Sequence, residues 1–102
     1  MKKIFISQPM MGLTDEEILN KRQEIRKNAE KVIKEPVELI DSFIEDYPEE
    51  IYKHIPVFYL GKSIQFLSQA DIAYFGGDWK NARGCLIEHE VAVQYGIEII
   101  EE

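Results

Sequence analysis

A single cysteine, two histidines and no long apolar run mark this 102-residue chain. Cys85 has no partner for an internal disulfide, so the expected setting is reducing and cytoplasmic. With only His54 and His89 beside it, a Cys/His zinc centre is not expected, and no motif calls for another metal or a cofactor. Basic residues are also few, 12 Lys plus Arg against 19 Asp plus Glu, for a net charge of −7. Binding a nucleic-acid polymer relies on clustered cations that displace counterions, so that partner is not expected. A small nucleotide held in one locally positive pocket stays open. The apolar run at the N-terminus is too short for a secretory leader, and nothing reaches membrane-spanning length. What remains is ordinary globular composition, 45% hydrophobic and 30% charged, sized for one domain over residues 1–102. There are no repeats and no low-complexity tracts.

The apolar pattern alternates between strand and helix. Ile4-Phe5-Ile6 reads as a strand buried on both faces and stopped by Pro9. Thr14 and Glu17 have capping-box spacing, and Ile18, Ile25, Ala29, Val32 and Ile33 then share one helical face, which predicts a helix over 14–34. Pro36 ends it, and 37–40 reads as a second short strand. The acidic stretch 41–55 reads as a long loop with one helical turn at 49–53. Pro56 suits a first helical turn, and Val57, Leu60, Ile64 and Leu67 carry that helix to about residue 69. A third strand at 72–75 closes on Gly76-Gly77-Asp78. A third helix follows over 82–95, with Gly96 at a left-handed C-cap, and 97–100 is the last strand.

This order implies an α/β fold: a small parallel four-stranded sheet flanked by helices, Rossmann- or flavodoxin-like. In such sheets ligands sit beyond the carboxyl ends of the strands, near the point where strand order reverses. The segments 7–12, 41–43 and 76–84 are placed to line that rim.

On the third helix, Cys85, Leu86, His89, Ala92, Val93 and Gly96 form one arc suited to the sheet. Ile87, Val91 and Tyr95 form a second apolar arc, suited to a partner chain. Glu88 falls between the two, close to the ligand rim, while Glu90 points to solvent. Helix geometry alone allows two roles for Glu88, a nucleophile or general base and a first-turn acid favoured by the helix dipole.

The run from Ile4 through Ser7, Gln8, Pro9, Met10, Met11 and Gly12 resembles the nucleoside 2-deoxyribosyltransferase-like superfamily, as do Ala70-Asp71-Ile72 and the series Gly84, Glu88, Gly96. Within it the chain is most similar to bacterial and phage proteins carrying the domain of unknown function DUF4406. That likeness spans nearly the whole sequence and is most specific from Trp79 to Ala92. To the characterised transferases and N-glycosidases the likeness is limited to the scattered motifs. The resemblance implies that Glu88 attacks the anomeric carbon of a nucleoside or nucleotide, forming a glycosyl-enzyme that water or a second base resolves. It implies a leaving-base role for an Asp after the third strand, for which Asp78 is nearest, and a homo-oligomer that shares active-site walls. Asp71 matches the family better than Asp78 but stands at a strand start, which suits a structural role. Two departures stand out. Glu90 replaces a Gly usual in the enzymes, and the first loop lacks the Gly- and Ser-rich run that grips phosphate in the N-glycosidases.

Ser7, Gln8, Pro9, Met10, Gly12, Gly76, Gly77, Trp79, Arg83 and Gly84 are the candidate ligand-binding residues. The first helix opens with Asp15-Glu16-Glu17, which repels an anion. The third carries Lys80 and Arg83 with no acid before Ile87, so an anion is expected near Arg83 and the amides of Gly84 and Cys85, or these cations are simply solvated. Ser7 and Gln8 bond a sugar or base edge, or close the strand end. Trp79 stacks on a base or anchors an interface, and Cys85 and His89 are core residues. The expected function is N-glycosidic cleavage or deoxyribosyl transfer; the alternative is a non-catalytic binder of a nucleotide-derived molecule, a sensor or phage sponge.

Overall fold

The computed structural model describes residues 1–9, 12–42, 44 and 47–102. Its elements run β1 (Lys2–Ser7), α1 (Asp15–Ile33), β2 (Val37–Leu39), α2 (Ile55–Leu67), β3 (Ile72–Phe75), α3 (Arg83–Gln94) and β4 (Glu98–Glu101). The four strands are all parallel, in the order β2-β1-β3-β4. Strand order therefore reverses between β1 and β3, the switch point of a flavodoxin-like sheet.

The pleat sorts the core into two layers. Ile4 and Ile6 of β1, with Ile72 and Tyr74 of β3, pack on Ile25 and Ala29 of α1. The alternate residues Phe5, Ala73 and Phe75 pack on the other face, with Leu67 of α2 and Cys85 and Ala92 of α3. One helix thus covers one face and two cover the other. No helix among the described residues is long and apolar enough to cross a membrane.

Local chemistry sets the boundaries. Thr14 caps α1: its hydroxyl accepts the Glu17 amide at 3.1 Å, and the Glu17 carboxylate accepts the Thr14 amide at 3.4 Å. The helix stops at Ile33 because Lys34 turns left-handed, two residues before Pro36. Within the 41–55 segment, the Tyr52 amide donates to the Glu49 carbonyl, closing a single turn inside the 49–53 stretch expected to turn. Pro56 lies in the first turn of α2 as expected, and the helix ends at Leu67, slightly short of residue 69. The third helix differs more. A 3-10 turn at Trp79–Asn81 precedes it, closed by Asn81 donating its side-chain amide to Asp78 at 2.7 Å, and Ala82 is an extended N-cap. Gly96, at φ 70°, makes the left-handed exit that the sequence predicts.

The face of α3 that meets the sheet is turned from the expected arc. Cys85, Glu88 and Ala92 are its buried residues, whereas Leu86 and Val93 are exposed. Val91, expected on a partner-facing arc, packs against this chain's own core, leaving Ile87 and Tyr95 exposed. An inward Glu88 is tolerable because hydroxyl donors meet it; without them burial of a carboxylate is prohibitive.

Candidate functional site: a clamped carboxylate beside a cavity

Ser7 is the last residue of β1 and pairs with Phe75 at the end of β3. It shares pleat parity with Phe5, so its side chain points to the α2/α3 face. There its hydroxyl donates to Oε1 of Glu88 at 3.0 Å. Ser63, on α2, donates to Oε2 at 2.5 Å. Glu88 itself is only 6% exposed. Burial pushes its pKa up, and the hydroxyls of Ser63 and Ser7 pull it part of the way back. Cys85, one turn earlier on α3, also has its thiol pKa raised, first by burial and then by the Glu88 charge, with Ser7 opposing. The result is a desolvated carboxylate at the sheet's switch point, fixed by donors from two elements.

Beside it lies a cavity of about 560 Å³, whose walls include His54, Tyr59, Leu60, Ser63, Arg83 and Gly84. Glu88 stands one hydroxyl behind this wall, since Ser63 contributes to the lining and bonds the carboxylate. The wall is mostly apolar, with Arg83 as its charged member. Such a space suits a small, partly aromatic ligand with few polar groups to satisfy.

The expected site residues divide between two cavities. Arg83 and Gly84 lie on the Glu88 side, at the start of α3. Gln8, Pro9, Gly77 and Asp78 line a second cavity, of about 510 Å³, on the α1 side. Pleat parity explains the split, because Gln8 follows Ser7 and faces away from it. Asp78 is therefore not brought to Glu88; it is exposed and bonded to Asn81. Gly12, at φ 84°, is exposed before α1. Met10 and Phe43 lie outside the described residues. Gly76 is buried beneath this chain's own atoms: a Cβ there would lie 3.3 Å from both the Glu102 carboxylate and Ile25. Trp79 is a correction. Only 5% exposed, it stacks on His89 at 4.6 Å and packs at a tilt against Phe75, so its ring is committed to the core and has no open face for a base. Its indole N–H has no acceptor among the described residues.

Two motif residues have clear structural placements. Asp71 ties β3 to β1, accepting the Lys3 amide at 2.8 Å while its own amide donates to the Lys3 carbonyl. Glu90 is exposed and bonded to Gln94, so the acid that replaces a family glycine does not face the clamp.

Sequence patterning missed Ser63. The available signal was a lone serine three residues after Leu60 and four before Leu67, hence on the buried stripe of an apolar helix. The role of Glu102 on the α1 face was also unforeseen. Its carboxylate accepts the Gly77 amide at 2.8 Å, the Tyr74 hydroxyl at 3.0 Å and the Lys21 ammonium at 3.3 Å. Partial burial pushes the pKa of Glu102 up, but these three donors outweigh it and hold it below the ordinary carboxylate value.

Fold and site together define a small parallel α/β protein with one enclosed, doubly bonded carboxylate at its switch point. The chain belongs to the family described as Domain of unknown function (DUF4406), whose model matches residues 2–101. No curated protein and no solved structure matches it.

Proposed function

We propose that the protein acts on the N-glycosidic bond of a nucleoside or nucleotide, with Glu88 as the nucleophile. The observation that carries this reading is the buried Glu88 carboxylate, held by Ser7 and Ser63 against a cavity at the β1/β3 switch point. The resemblance of Gly84, Glu88 and Gly96 to the nucleoside 2-deoxyribosyltransferase-like superfamily supports the same assignment. In the first step a Glu88 oxygen bonds to the anomeric carbon as the carbon–nitrogen bond breaks, and the electron pair leaves with the base. The base takes up a proton, for which His54 and Tyr59 are the protonable wall groups on this side of the sheet. In the second step water, or the nitrogen of another base, attacks the same carbon and frees the carboxylate, and the proton it loses returns to the wall group that gave one up in the first step. Water gives hydrolysis; a base gives transfer. An anionic group on the substrate would lie toward Arg83 and Gly84.

The test is incubation with a panel of nucleosides and deoxynucleotides, with chromatography for free base and intact-mass analysis for a glycosyl adduct on Glu88. Base release by the native chain, lost in Glu88→Gln, supports the reading. Absence of product across the panel, or equal turnover in the variant, overturns it.

One observation favours a second reading. Both Glu88 oxygens already accept hydrogen bonds from Ser7 and Ser63, an arrangement suited to holding an intact ligand as a sensor or sponge would. Mass spectrometry of material that copurifies separates the two: an intact nucleotide-derived molecule supports binding, a free base supports cleavage. The exposed Ile87 and Tyr95 support a homo-oligomer, and the single cysteine supports a cytoplasmic setting. Light scattering that shows only monomer removes the first of these.

A further inference from the structure

We propose that Ser63 is the positioning residue of this site, holding the cavity-side oxygen of Glu88 charged and aimed at a bound ligand. The proposal rests on the reading of Glu88 as nucleophile. The two serines that bond Glu88 come from different elements and do different work. Ser7, 3% exposed at the end of β1, secures Oε1 against the sheet. Ser63, half-buried on α2, bonds Oε2 and contributes to the cavity wall. Oε2 is therefore the oxygen nearer to a ligand, and Ser63 the group nearest to it that can set its charge.

A hydroxyl donating to a carboxylate is charge-assisted and favours the anion over the acid. No cation shares that task among the contacts described. The titratable neighbour is the Cys85 thiol on α3, whereas the groups that β1 and α2 present to Glu88 are the hydroxyls of Ser7 and Ser63. Burial alone raises the Glu88 pKa and so disfavours the anion that attacks. Ser63 counters that burial from the ligand's side, and its rotation would release a lone pair of Oε2 as the anomeric carbon arrives.

The experiment is a carboxyl-carbon NMR titration of Glu88 in the full chain, in the native protein and in Ser63→Ala, Ser63→Cys and Ser63→Thr, with the pH–rate profile of base release alongside. Ser63→Ala and Ser63→Cys should move the Glu88 midpoint upward by about one pH unit. Ser63→Thr, which keeps the hydroxyl, should titrate like the native chain. Base release by Ser63→Ala should fall about tenfold at acidic pH and recover to within about threefold at alkaline pH, with little change in KM. A merely structural serine would give a loss of the same size at every pH. Folded Ser63→Ala and Ser63→Cys proteins that titrate like the native chain overturn the proposal. If the midpoint shifts but neither the native chain nor any variant releases base, the donor role of Ser63 stands and the glycosidic reading of Glu88 falls.

Discussion

Glu88 on the α2/α3 face and Glu102 on the α1 face stand at the same rim of one sheet, and each accepts hydrogen bonds through both oxygens. Their acidities nevertheless move in opposite directions. Glu88 is enclosed and, among the described residues, is hydrogen-bonded by the neutral hydroxyls of Ser7 and Ser63, so burial dominates and its pKa rises. Glu102 is closer to water and meets a backbone amide, a phenol and an ammonium, so its donors dominate and its pKa falls. Hydrogen bonds alone do not tell a reactive carboxylate from a structural one. The decisive quantity is the solvation withheld relative to the charge supplied. By that measure Glu88 is the carboxylate we propose as reactive, and Glu102 is a latch that joins the end of β4 to α1 and the Gly77 turn.

Activity should break the symmetry most sharply. Glu88→Gln should lower base release by about 10³-fold or more, whereas Glu102→Gln should leave it within about twofold. Equal losses in the two variants, measured by single-turnover assay, would remove the distinction between the faces.

The stability–pH curve should carry two opposite signatures. A carboxyl whose folded pKa is raised contributes stability below its ordinary value of 4.5, and this is lost as pH climbs through the raised folded value. Glu88→Gln should therefore melt higher than the native chain at pH 8, by roughly 4 °C or more, and the two should converge near pH 4. For Glu102 the sign reverses. Its stabilisation is present above 4.5 and disappears as pH falls through the lowered folded value. Calorimetry across that range checks both curves.

Smaller effects test the latch itself. Tyr74→Phe removes one donor to Glu102 and should cost about 1 kcal/mol in denaturant unfolding. Glu102→Gln, with a side chain still partly in water, should cost less than about 1 kcal/mol at pH 7 and nothing measurable at low pH. If Tyr74→Phe is neutral, that bond contributes nothing to joining the α1 face.

The layout of the fold was legible because its signals are local. Thr14 with Glu17, Pro56, Gly96 and the apolar triplet at Ile4 each act within a few residues, and all four reappear where the chain requires them. The two faces of the sheet were not separated by sequence reading. Ser7 and Gln8 are adjacent in the chain, as are Gly77, Asp78 and Trp79, yet Gln8, Gly77 and Asp78 reach the α1-side cavity while Ser7 and Trp79 are buried on the other face. The inward turn of Glu88 was likewise hidden. Apolar moment favoured Leu86 and Val93 for the sheet, but a carboxylate with two waiting hydroxyls wins that place through hydrogen bonding, and one of those hydroxyls comes from a distant helix. Ser63 illustrates the general difficulty: its meaning depends on a contact 25 residues away.

Ser7 and Gln8 diverge at the end of β1. Gln8 contributes to the cavity wall on the α1 face, while Ser7 reaches Glu88 on the α2/α3 face. One strand end thereby serves both faces of the sheet through two neighbouring side chains, so a change at residue 8 leaves the Ser7 hydroxyl in place on Glu88.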